Sequence, residues 1–269
     1  MPCPAEPLPF ATLPGFNRFA ANGALRGARA ATNLALIGAP RGTYDDCCRP
    51  PQNPDFIAQL VTHDFGPFRA TGIRPAIRLL KVVMAEVAAL RPDVFARLTC
   101  AGMLCCRRSR SACPAATISN HAWGIAIDLG IDGQEDAPGA RRARRGLVEI
   151  QPFFRRHGFY WGAAFPAAEP GHFEASEQLV RQWAAAGEFG AAAAAMAAAL
   201  ARRGLAIGDR GVEVLTVQQA LNAHLPIQIE EDGIYGGDTQ AAVIELQRRR
   251  RMRPDGVAGR SVHRALGLI

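Results

Sequence analysis

The stretch Ser119-Asn120-His121-Ala122-Trp123-Gly124-Ile125-Ala126-Ile127-Asp128 places an imidazole and a carboxylate at the two ends of a short apolar run. Such a run predicts a strand that is buried in the protein. A carboxylate at the end of a buried strand needs a partner, because an unpaired buried charge is costly. Gly124 interrupts the run and allows the backbone to kink, so His121 and Asp128 need not follow the alternation of a regular strand.

A second imidazole lies downstream in Glu169-Pro170-Gly171-His172-Phe173-Glu174, between two further carboxylates. Two histidines and one aspartate are ligands that suit Zn²⁺, and three protein ligands leave a fourth coordination position open for water. The two stretches together predict a zinc site formed by His121, Asp128 and His172, with Glu169 remaining as the base. The alternative for these residues is a buried polar network that holds no metal.

The two stretches resemble the M15 family of zinc peptidases, which includes D-alanyl-D-alanine carboxypeptidases and L-alanyl-D-glutamate endopeptidases that cut the peptide stems of bacterial peptidoglycan. The pattern Ser-x-His-x-x-Gly-x-Ala-x-Asp begins at Ser119, and Glu-x-x-His follows at Glu169. The segments 119–124, 160–162 and 172–174 are most similar to the carboxypeptidase-like VanY branch. The resemblance implies an α+β fold in which a zinc peptidase domain has a small antiparallel sheet and flanking helices.

The family resemblance also implies which acidic residue acts as the base. The spacing of Glu169 to His172 matches the acidic-x-x-His arrangement of the family, so we expect Glu169 to be the general base. Glu174 is a rival because it too lies near His172. We interpret Glu174 instead as a residue that orients a ligand imidazole from behind.

An arginine on the segment before the first motif contacts the substrate in M15 enzymes, and it helps to hold the developing negative charge. By its position after a predicted strand, Arg107 is expected to take this role here, with Arg108 and Arg110 as close rivals. Ser119 is expected to contact the substrate or to fix the loop. The alternative is that the arginines form a solvated cluster with no part in catalysis.

The rest of the N-terminal part predicts elements that pack around this site. Residues 1 to about 55 are rich in Pro, Gly and Asn, which predicts an irregular arm wrapped over the domain, with one short helix around Asn22–Leu36. Further on, apolar spacing and breaker residues predict helices over 75–90 and 147–157, a strand over 95–104, and a strand or hairpin over 159–165.

The C-terminal part differs sharply in composition. An Ala-rich stretch over 183–203 predicts a helical linker between a peptidase domain at 1–182 and a second domain at 204–269. In the second domain Asp232-Gly233-Ile234-Tyr235-Gly236 recurs as Asp255-Gly256-Val257-Ala258-Gly259, and each copy predicts a turn followed by a helix. With Gln218 and Gln247, this segment resembles the peptidoglycan-binding domain 1 family, which implies an all-α three-helix domain. Asp238 or Thr239 and Ser261 are the candidate helix caps.

The seven cysteines bear on the redox environment. Six of them precede or adjoin the first motif in two clusters, and no Cys-x-x-Cys pair is present to suggest a structural zinc knuckle. One hypothesis is a disulfide that joins Cys47 or Cys48 to the Cys100–Cys113 region, as a protein of the cell envelope would allow. The alternative is a set of buried reduced thiols.

Charge and hydropathy limit the remaining function classes. The net charge of +7 comes almost wholly from arginine, Lys81 being the one lysine, and it favours polyanionic partners such as acidic wall polymers. No recognisable nucleic-acid motif accompanies it, so a nucleic-acid partner is disfavoured. No segment approaches the ~18 apolar residues of a membrane span, and no signal peptide is visible.

Together these features predict a monomeric peptidoglycan peptidase of the cell envelope or extracellular space. A non-catalytic protein that binds the cell wall is the second hypothesis.

Overall fold

The computed structural model describes residues 3–13, 20–109, 117–210 and 212–268. The chain divides into two units, Met1–Ala193 and Ala194–Ile269. The division falls inside the stretch 183–203 that the sequence marks as a linker, and the domain limits 1–182 and 204–269 stay a prediction. The first unit combines helices with small antiparallel sheets, as expected for an α+β peptidase domain. The second unit is helical, as expected for an all-α domain.

A four-stranded antiparallel sheet forms the centre of the first unit. In chain order the described strands are β1 (Pro7–Pro9), β2 (Leu60–Asp64), β3 (Arg69–Ile73), β4 (Leu98–Gly102), β5 (Ala126–Ile131), β6 (Arg142–Arg144), β7 (Phe159–Trp161) and β8 (His172–Ala175). The central sheet has the order β4-β5-β8-β7, while β2 pairs with β3 and β1 pairs with β6. The pairing of β5 with β8 sets Asp128 directly opposite His172. The register of one strand pair thus brings together two of the three predicted metal ligands.

Helices flank these sheets in the first unit. They are α1 (Ala30–Leu36), α2 (Pro54–Ile57), α3 (Arg74–Leu90), α4 (Pro92–Phe95), α5 (Arg145–Arg156) and α6 (Glu177–Ala185). The predicted helix over 75–90 is confirmed, with Pro75 in its first turn, where the missing N–H has no partner to lose. Its apolar face is buried, from Ile77 and Leu80 to Val87. The predicted helix over 147–157 corresponds to α5.

Three predictions for the first unit need correction. Residues Asn120–Trp123 form a 3-10 turn rather than a strand, and β5 begins only at Ala126. The predicted strand over 95–104 starts later, because α4 occupies its first residue. The predicted strand or hairpin over 159–165 ends at Trp161 and continues as a 3-10 turn over Gly162–Ala164.

Gly124 explains why the first motif cannot be one continuous strand. Its φ of 59° lies in the left-handed region, which ends the 3-10 turn before β5 begins. A Cβ on Gly124 would lie 2.7 Å from the Cα of Gly72, so the backbones approach too closely for any side chain. The kink that the sequence allowed at this glycine is therefore confirmed.

The N-terminal arm contains more regular structure than its composition predicts. Strand β1 pairs with β6, and the predicted helix is limited to α1. The arm is fastened to the rest of the unit by side-chain amides: Asn22 donates to the carbonyl of Trp161, and Gln151 donates to the carbonyl of Ala21. These long-range hydrogen bonds fit the expectation of an arm wrapped over the domain.

The Ala-rich stretch is not one continuous helix. Helix α6 ends at Ala185 and α7 spans Ala191–Arg203, and between them Gly187 and Gly190 have φ values of 82° and 89°. Left-handed glycines stop a helix, because they place the next residues off its axis. Alanine favoured a helix throughout this stretch, but the two glycines interrupt it.

Beyond α7, the described residues of the second unit form three helices and the two predicted Asp-Gly turns. The helices are α8 (Val212–His224), α9 (Gly237–Arg249) and α10 (Arg260–Ala265), as the three-helix expectation requires. Their core includes Val217, Leu246 and a fully buried Tyr235. The predicted caps are wrong: Gly236 and Gly259 occupy the N-cap positions of α9 and α10, and neither helix has a side-chain cap.

Candidate metal centre

Three side chains, two from neighbouring strands of the central sheet and one from the turn that precedes β5, converge on one point. His121 lies on the 3-10 turn before β5, Asp128 lies on β5, and His172 begins β8. The Nε2 atom of His121 lies 3.1 Å from Oδ2 of Asp128, and the Nδ1 atom of His172 lies 2.9 Å from Oδ1 of the same carboxylate. Within the ranges that the structure describes, these three residues form the one group of this kind able to hold a metal, with ligand atoms within 4.8 Å of one another.

The second nitrogen of His121 is held by the backbone. Its Nδ1 atom lies 3.1 Å from the carbonyl oxygen of Met103. A carbonyl can only accept a hydrogen bond, so Nδ1 carries the proton and Nε2 presents a lone pair toward Asp128. The ring is almost fully buried, and the peptide N–H of Cys105 donates to the carbonyl of His121 at 3.0 Å.

The second nitrogen of His172 is held by a carboxylate. Its Nε2 atom lies 3.0 Å from Oε2 of Glu174, which leaves Nδ1 facing Asp128. Glu174 is itself buried and accepts a hydrogen bond of 2.8 Å from Nδ2 of Asn120. Glu174 therefore lies behind the ligand imidazole, in the orienting position that the sequence suggested for it.

The electrostatics of the cluster favour a positive charge. Burial acts to raise the pKa of Asp128, but the contacts with His121 and His172 outweigh it and hold the pKa of that carboxyl well below its usual range. Burial alone would lower the pKa of His172, whereas hydrogen bonds to Asp128 and Glu174 raise that pKa to about 10. The surrounding carboxylates thus stabilise a cation at this point.

The residues present fit a zinc ion. Nε2 of His121 is buried and, although it lies close to Asp128, it makes no hydrogen bond of ordinary geometry with any described residue. Two acceptor atoms that face each other without a proton between them repel, unless a cation lies nearby. Two imidazoles and one carboxylate, each imidazole fixed through its other nitrogen, are the donor set of a zinc site with an open position.

Glu169 lies at the edge of the same cluster. Its Oε2 atom is 3.9 Å from Nδ1 of His172, which places the carboxylate beside the ligands. Burial raises the pKa of Glu169, and the positive charges of His172 and Arg107 partly oppose this effect. The position depends on a tight turn: the N–H of Glu169 donates to the carbonyl of Gly162, and a Cβ on Gly162 would lie 2.8 Å from the Cβ of His172.

Of the predicted substrate-contacting residues, Ser119 begins the first motif, and Arg107 is hydrogen-bonded to it through the backbone. The N–H of Ser119 donates to the carbonyl of Arg107, and the charge of Arg107 is near enough to Glu169 to lower its pKa. Both guanidinium groups donate to backbone carbonyls, that of Arg107 from Nη1 to Arg108 and that of Arg108 from Nε to Tyr44. The effect of its charge on Glu169 favours Arg107 over Arg108, while Arg110 lies outside the described residues.

Trp123 and the remaining histidines have contacts outside the group of candidate metal ligands. Trp123 is fully buried and donates from Nε1 to the carbonyl of Gly38, so it belongs to the core. His157 follows the last residue of α5, and its Nε2 lies 3.0 Å from Oε1 of Glu86. His63, His224 and His263 do not belong to the metal-binding group.

A disulfide lies close to the first motif. It joins Cys48 to Cys105, which confirms the hypothesis that Cys47 or Cys48 pairs with the Cys100–Cys113 region, although Cys113 lies outside the described residues. The flanking backbones pair as well, since Arg49 and Cys106 exchange two hydrogen bonds. The disulfide thus fastens the N-terminal arm to the segment that leads into Arg107 and His121.

Asn120, Asn33 and Gly27 also belong to this site, and the sequence did not predict a part in it for any of them. Asn33 donates from Nδ2 to Oδ1 of Asn120 at 2.8 Å, and a Cβ on Gly27 would lie 2.7 Å from Oε1 of Glu174. Both arm residues reach the site across a long sequence separation. Of the three residues, only Asn120 could have been predicted from its neighbours in the sequence, because it lies between Ser119 and His121 in the first motif.

Comparisons with known proteins agree with this geometry. Residues 114–175 match the family model described as D-alanyl-D-alanine carboxypeptidase, of the M15 peptidases, and residues 210–266 match the one described as putative peptidoglycan binding domain. A search of curated proteins and one of solved structures found no match. The two family matches confirm both resemblances, and the first match contains His121, Asp128, Glu169 and His172. Among the described helices, none is both long and apolar enough to cross a membrane.

Proposed function

We propose that this protein is a zinc-dependent peptidase that hydrolyses peptide bonds in the stems of bacterial peptidoglycan, as a D-Ala-D-Ala carboxypeptidase or an L-Ala-D-Glu endopeptidase. One observation carries the proposal: His121, Asp128 and His172 converge beside Glu169 inside the segment that matches the carboxypeptidase family. A match to the family alone does not establish that the residues needed for zinc binding and catalysis lie together in this chain. The convergence of the ligand atoms supports an intact site.

Zinc, when bound by these three residues, supplies Lewis acidity that polarises a carbonyl and makes water a better nucleophile. The protein's own part is to hold the three ligand atoms in place. Nε2 of His121 and Nδ1 of His172 present lone pairs, because the other nitrogen of each ring faces an acceptor. Asp128 completes the set with a carboxylate that stays ionised in the physiological pH range, since its pKa is well below the usual value.

Glu169 is the residue placed to move protons. Its carboxylate accepts a proton from the attacking water and returns that proton to the amine of the leaving residue as the peptide bond breaks. The raised pKa that burial gives Glu169 suits both steps, because a carboxylate of higher pKa is a stronger base. The water oxygen remains in the carboxylate of the product, so no further reactant is required.

Arg107 is proposed to stabilise the negative charge that develops on the carbonyl oxygen. A guanidinium keeps its charge at all relevant pH values and needs no proton transfer in this role. Ser119, whose N–H binds the carbonyl of Arg107, connects this segment to the first motif and is proposed to fix the loop or to contact the substrate. Arg108 is a weaker candidate, because the arginine charge that lowers the pKa of Glu169 is that of Arg107.

The second unit is proposed to anchor the enzyme to its insoluble substrate. Its match to the peptidoglycan-binding family makes peptidoglycan the expected partner and supports a location at the cell wall or outside the cell. Tethering raises the local concentration of the peptidase near its bonds without any new contact at the active site.

Digestion of defined soluble muropeptides, followed by mass analysis of the products, tests the proposal. Loss of a terminal D-Ala would identify a carboxypeptidase, and release of a peptide that begins with D-Glu, with L-Ala left on the sugar, would identify an L-Ala-D-Glu endopeptidase. The Glu169→Gln variant should retain zinc and lose activity, because it keeps the shape of the side chain but not the base. A wild-type protein that binds zinc and purified wall without cutting any stem would instead be a non-catalytic wall-binding protein.

A further inference from the structure

The side-chain amide of Asn120 lies at the junction between the N-terminal arm and the ligand His172. Its Nδ2 donates to Oε2 of Glu174 at 2.8 Å and to the carbonyl of Ala28 at 2.9 Å, while its Oδ1 accepts from Nδ2 of Asn33 at 2.8 Å. We propose that Asn120 is a positioning residue of the zinc site that, held by Asn33, fixes Glu174 and through it the tautomer of His172. This inference rests on the proposed zinc site and adds the arm to it.

The orientation of the Asn120 amide follows from its partners. A carboxylate oxygen and a peptide carbonyl are both acceptors, so the NH₂ group must face Glu174 and Ala28. The amide oxygen is then directed at Asn33, which offers an NH₂ group. Because all three hydrogen bonds agree on one orientation, the amide is locked rather than free to flip.

Locking the amide constrains the carboxylate of Glu174. Oε2 receives both the N–H of Asn120 and the Nε2 of His172, so its position is set from two directions. The arm also lies close to the other oxygen, since a Cβ on Gly27 would lie 2.7 Å from Oε1. A carboxylate confined in this way keeps the proton of His172 on Nε2 and leaves Nδ1 available for the metal.

The arm segment that reaches Asn120 is itself firmly held. The buried carboxylate of Glu177, at the start of α6, accepts hydrogen bonds from the N–H of Arg29 and the hydroxyl of Thr32. Gly27 forms a β-bridge with Ser176. Residues 27–33 are therefore built into the wall of the metal centre, although they lie outside the segment 114–175 that matches the peptidase family.

Zinc affinity, measured by competition with a chromophoric chelator, tests the role of Asn120 without using activity. We expect Asn120→Ala to weaken zinc binding about tenfold, at the lower end of the roughly 10–100-fold effects of residues behind a metal ligand. Asn33→Ala should weaken it by a smaller factor, because it acts through one more hydrogen bond. Gln151→Ala is the matched control: this amide also fastens the arm, by donating to Ala21, but it is not part of the network, so zinc affinity should not change.

A double-mutant cycle with Glu174→Gln separates positioning from general loss of structure. If Asn120 acts through Glu174, the double variant should bind zinc no more weakly than Glu174→Gln alone. Fully additive losses, or unchanged affinity in both Asn120→Ala and Asn33→Ala, would overturn the inference while leaving the peptidase proposal intact. If Asn120→Ala does not fold, Asn33→Ala decides by the same comparison. Wild-type protein that binds no zinc would overturn the inference and the proposed function together.

Discussion

The protein contains two kinds of buried polar cluster, and they differ in one respect. In the second unit, Gln218 and Gln247 each hold a turn together through a network in which every donor meets an acceptor. In the first unit, one nitrogen of His121 and one of His172 face the same carboxylate of Asp128, and Nε2 of His121 makes no hydrogen bond of ordinary geometry with any described residue. The first kind of cluster links its groups to one another by hydrogen bonds, whereas the second gathers atoms that can bind a cation.

The two turns of the second unit repeat the same hydrogen bonds. Gln218 donates from Nε2 to Oδ1 of Asp232 and accepts from the N–H of Gly233. Gln247 donates from Nε2 to Oδ1 of Asp255 and accepts from the N–H of Gly256. The sequence repeat is therefore a structural repeat, and each glutamine amide takes the place of missing backbone partners in a turn.

The group His121, Asp128 and His172 is not closed by hydrogen bonds in this way. Nε2 of His121 lies near Oδ2 of Asp128 without a hydrogen bond of ordinary geometry, and the lowered pKa of Asp128 keeps its carboxylate ionised. Closed networks of this size stabilise a fold, whereas an open cluster of acceptors binds a cation. We therefore assign the cluster of His121, Asp128 and His172 to function and the two glutamine networks to stability.

Replacing one member of each cluster should separate the two roles most strongly. His172→Ala should lower zinc affinity by more than the roughly 10–100-fold typical of residues behind a ligand, because it removes a ligand itself. Gln247→Ala should leave zinc affinity unchanged. Chelator competition on both variants measures the contrast, and equal zinc affinity in the His172→Ala variant and the wild type would contradict the assignment.

Arginine substitutions beside the open cluster should have the next largest effect. Arg107→Ala is expected to reduce kcat for a soluble muropeptide by roughly 100-fold, the order of effect of one oxyanion-stabilising donor. Arg108→Ala serves as its control, because it removes a neighbouring guanidinium but leaves the charge of Arg107 that acts on Glu169, and it should change kcat little. A larger loss in Arg108→Ala than in Arg107→Ala would reverse the two roles.

Removing a glutamine from one of the hydrogen-bonded turns should lower the unfolding free energy and leave the rate of hydrolysis unchanged. Gln247→Ala leaves the N–H of Gly256 and the carboxylate of Asp255 without their partner, and the second unit should lose about 1–3 kcal/mol of unfolding free energy. Urea denaturation of the full chain measures this loss. The rate of hydrolysis of a soluble muropeptide should remain that of the wild type, and a fall in that rate would show that the closed network also serves catalysis.

Glu177 provides a closed network inside the first unit, and its effect should be the smallest. Burial acts to raise its pKa, but hydrogen bonds from Arg29 and Thr32 reverse this and hold the pKa below the usual value. Its folded pKa is lower than its unfolded pKa, so its contribution to stability is present above about pH 4.5, near the pKa of a free glutamate. That contribution is lost as the pH falls through the folded pKa.

The Glu177→Gln variant gives the comparison for this pH dependence. Between pH 7 and pH 3 the unfolding free energy of the wild type should fall more than that of the variant. Denaturant unfolding at several pH values measures both curves. Parallel curves would show that Glu177 does not contribute in the expected direction.

The sequence predicted the parts of the site that lie within short motifs. The types and spacing of His121, Asp128 and His172 predict one metal-binding group, and the structure brings their ligand atoms together. Gly124 is predicted to kink the chain, and it does. The sequence could not reveal that Asn33 contacts Asn120 or that Gly27 lies against Glu174, because these contacts join segments about 90 to 150 positions apart and neither arm residue has a distinctive neighbourhood. The apolar run between His121 and Asp128 predicts one strand, but the left-handed Gly124 makes its first part a 3-10 turn.

The second unit shows the same division between local and distant signals. The repeated Asp-Gly turns and the helices after them follow from the sequence, since turn residues act over a few positions. The helix caps did not follow, because the glutamine amides satisfy the turns from another helix, and the N-cap positions are Gly236 and Gly259, which have no side chain to cap with. Similarly, alanine content predicted one long helix over 183–203, and two left-handed glycines divide it.

Zinc X-ray absorption spectroscopy on the purified wild-type protein tests the central claim most directly. The account predicts one zinc ion per chain, with nitrogen and oxygen ligands at about 2.0–2.1 Å and the scattering pattern of two imidazoles. Sulfur ligands at about 2.3 Å, which would indicate a site formed by the cysteines, would contradict it. A protein that takes up no zinc would contradict it equally.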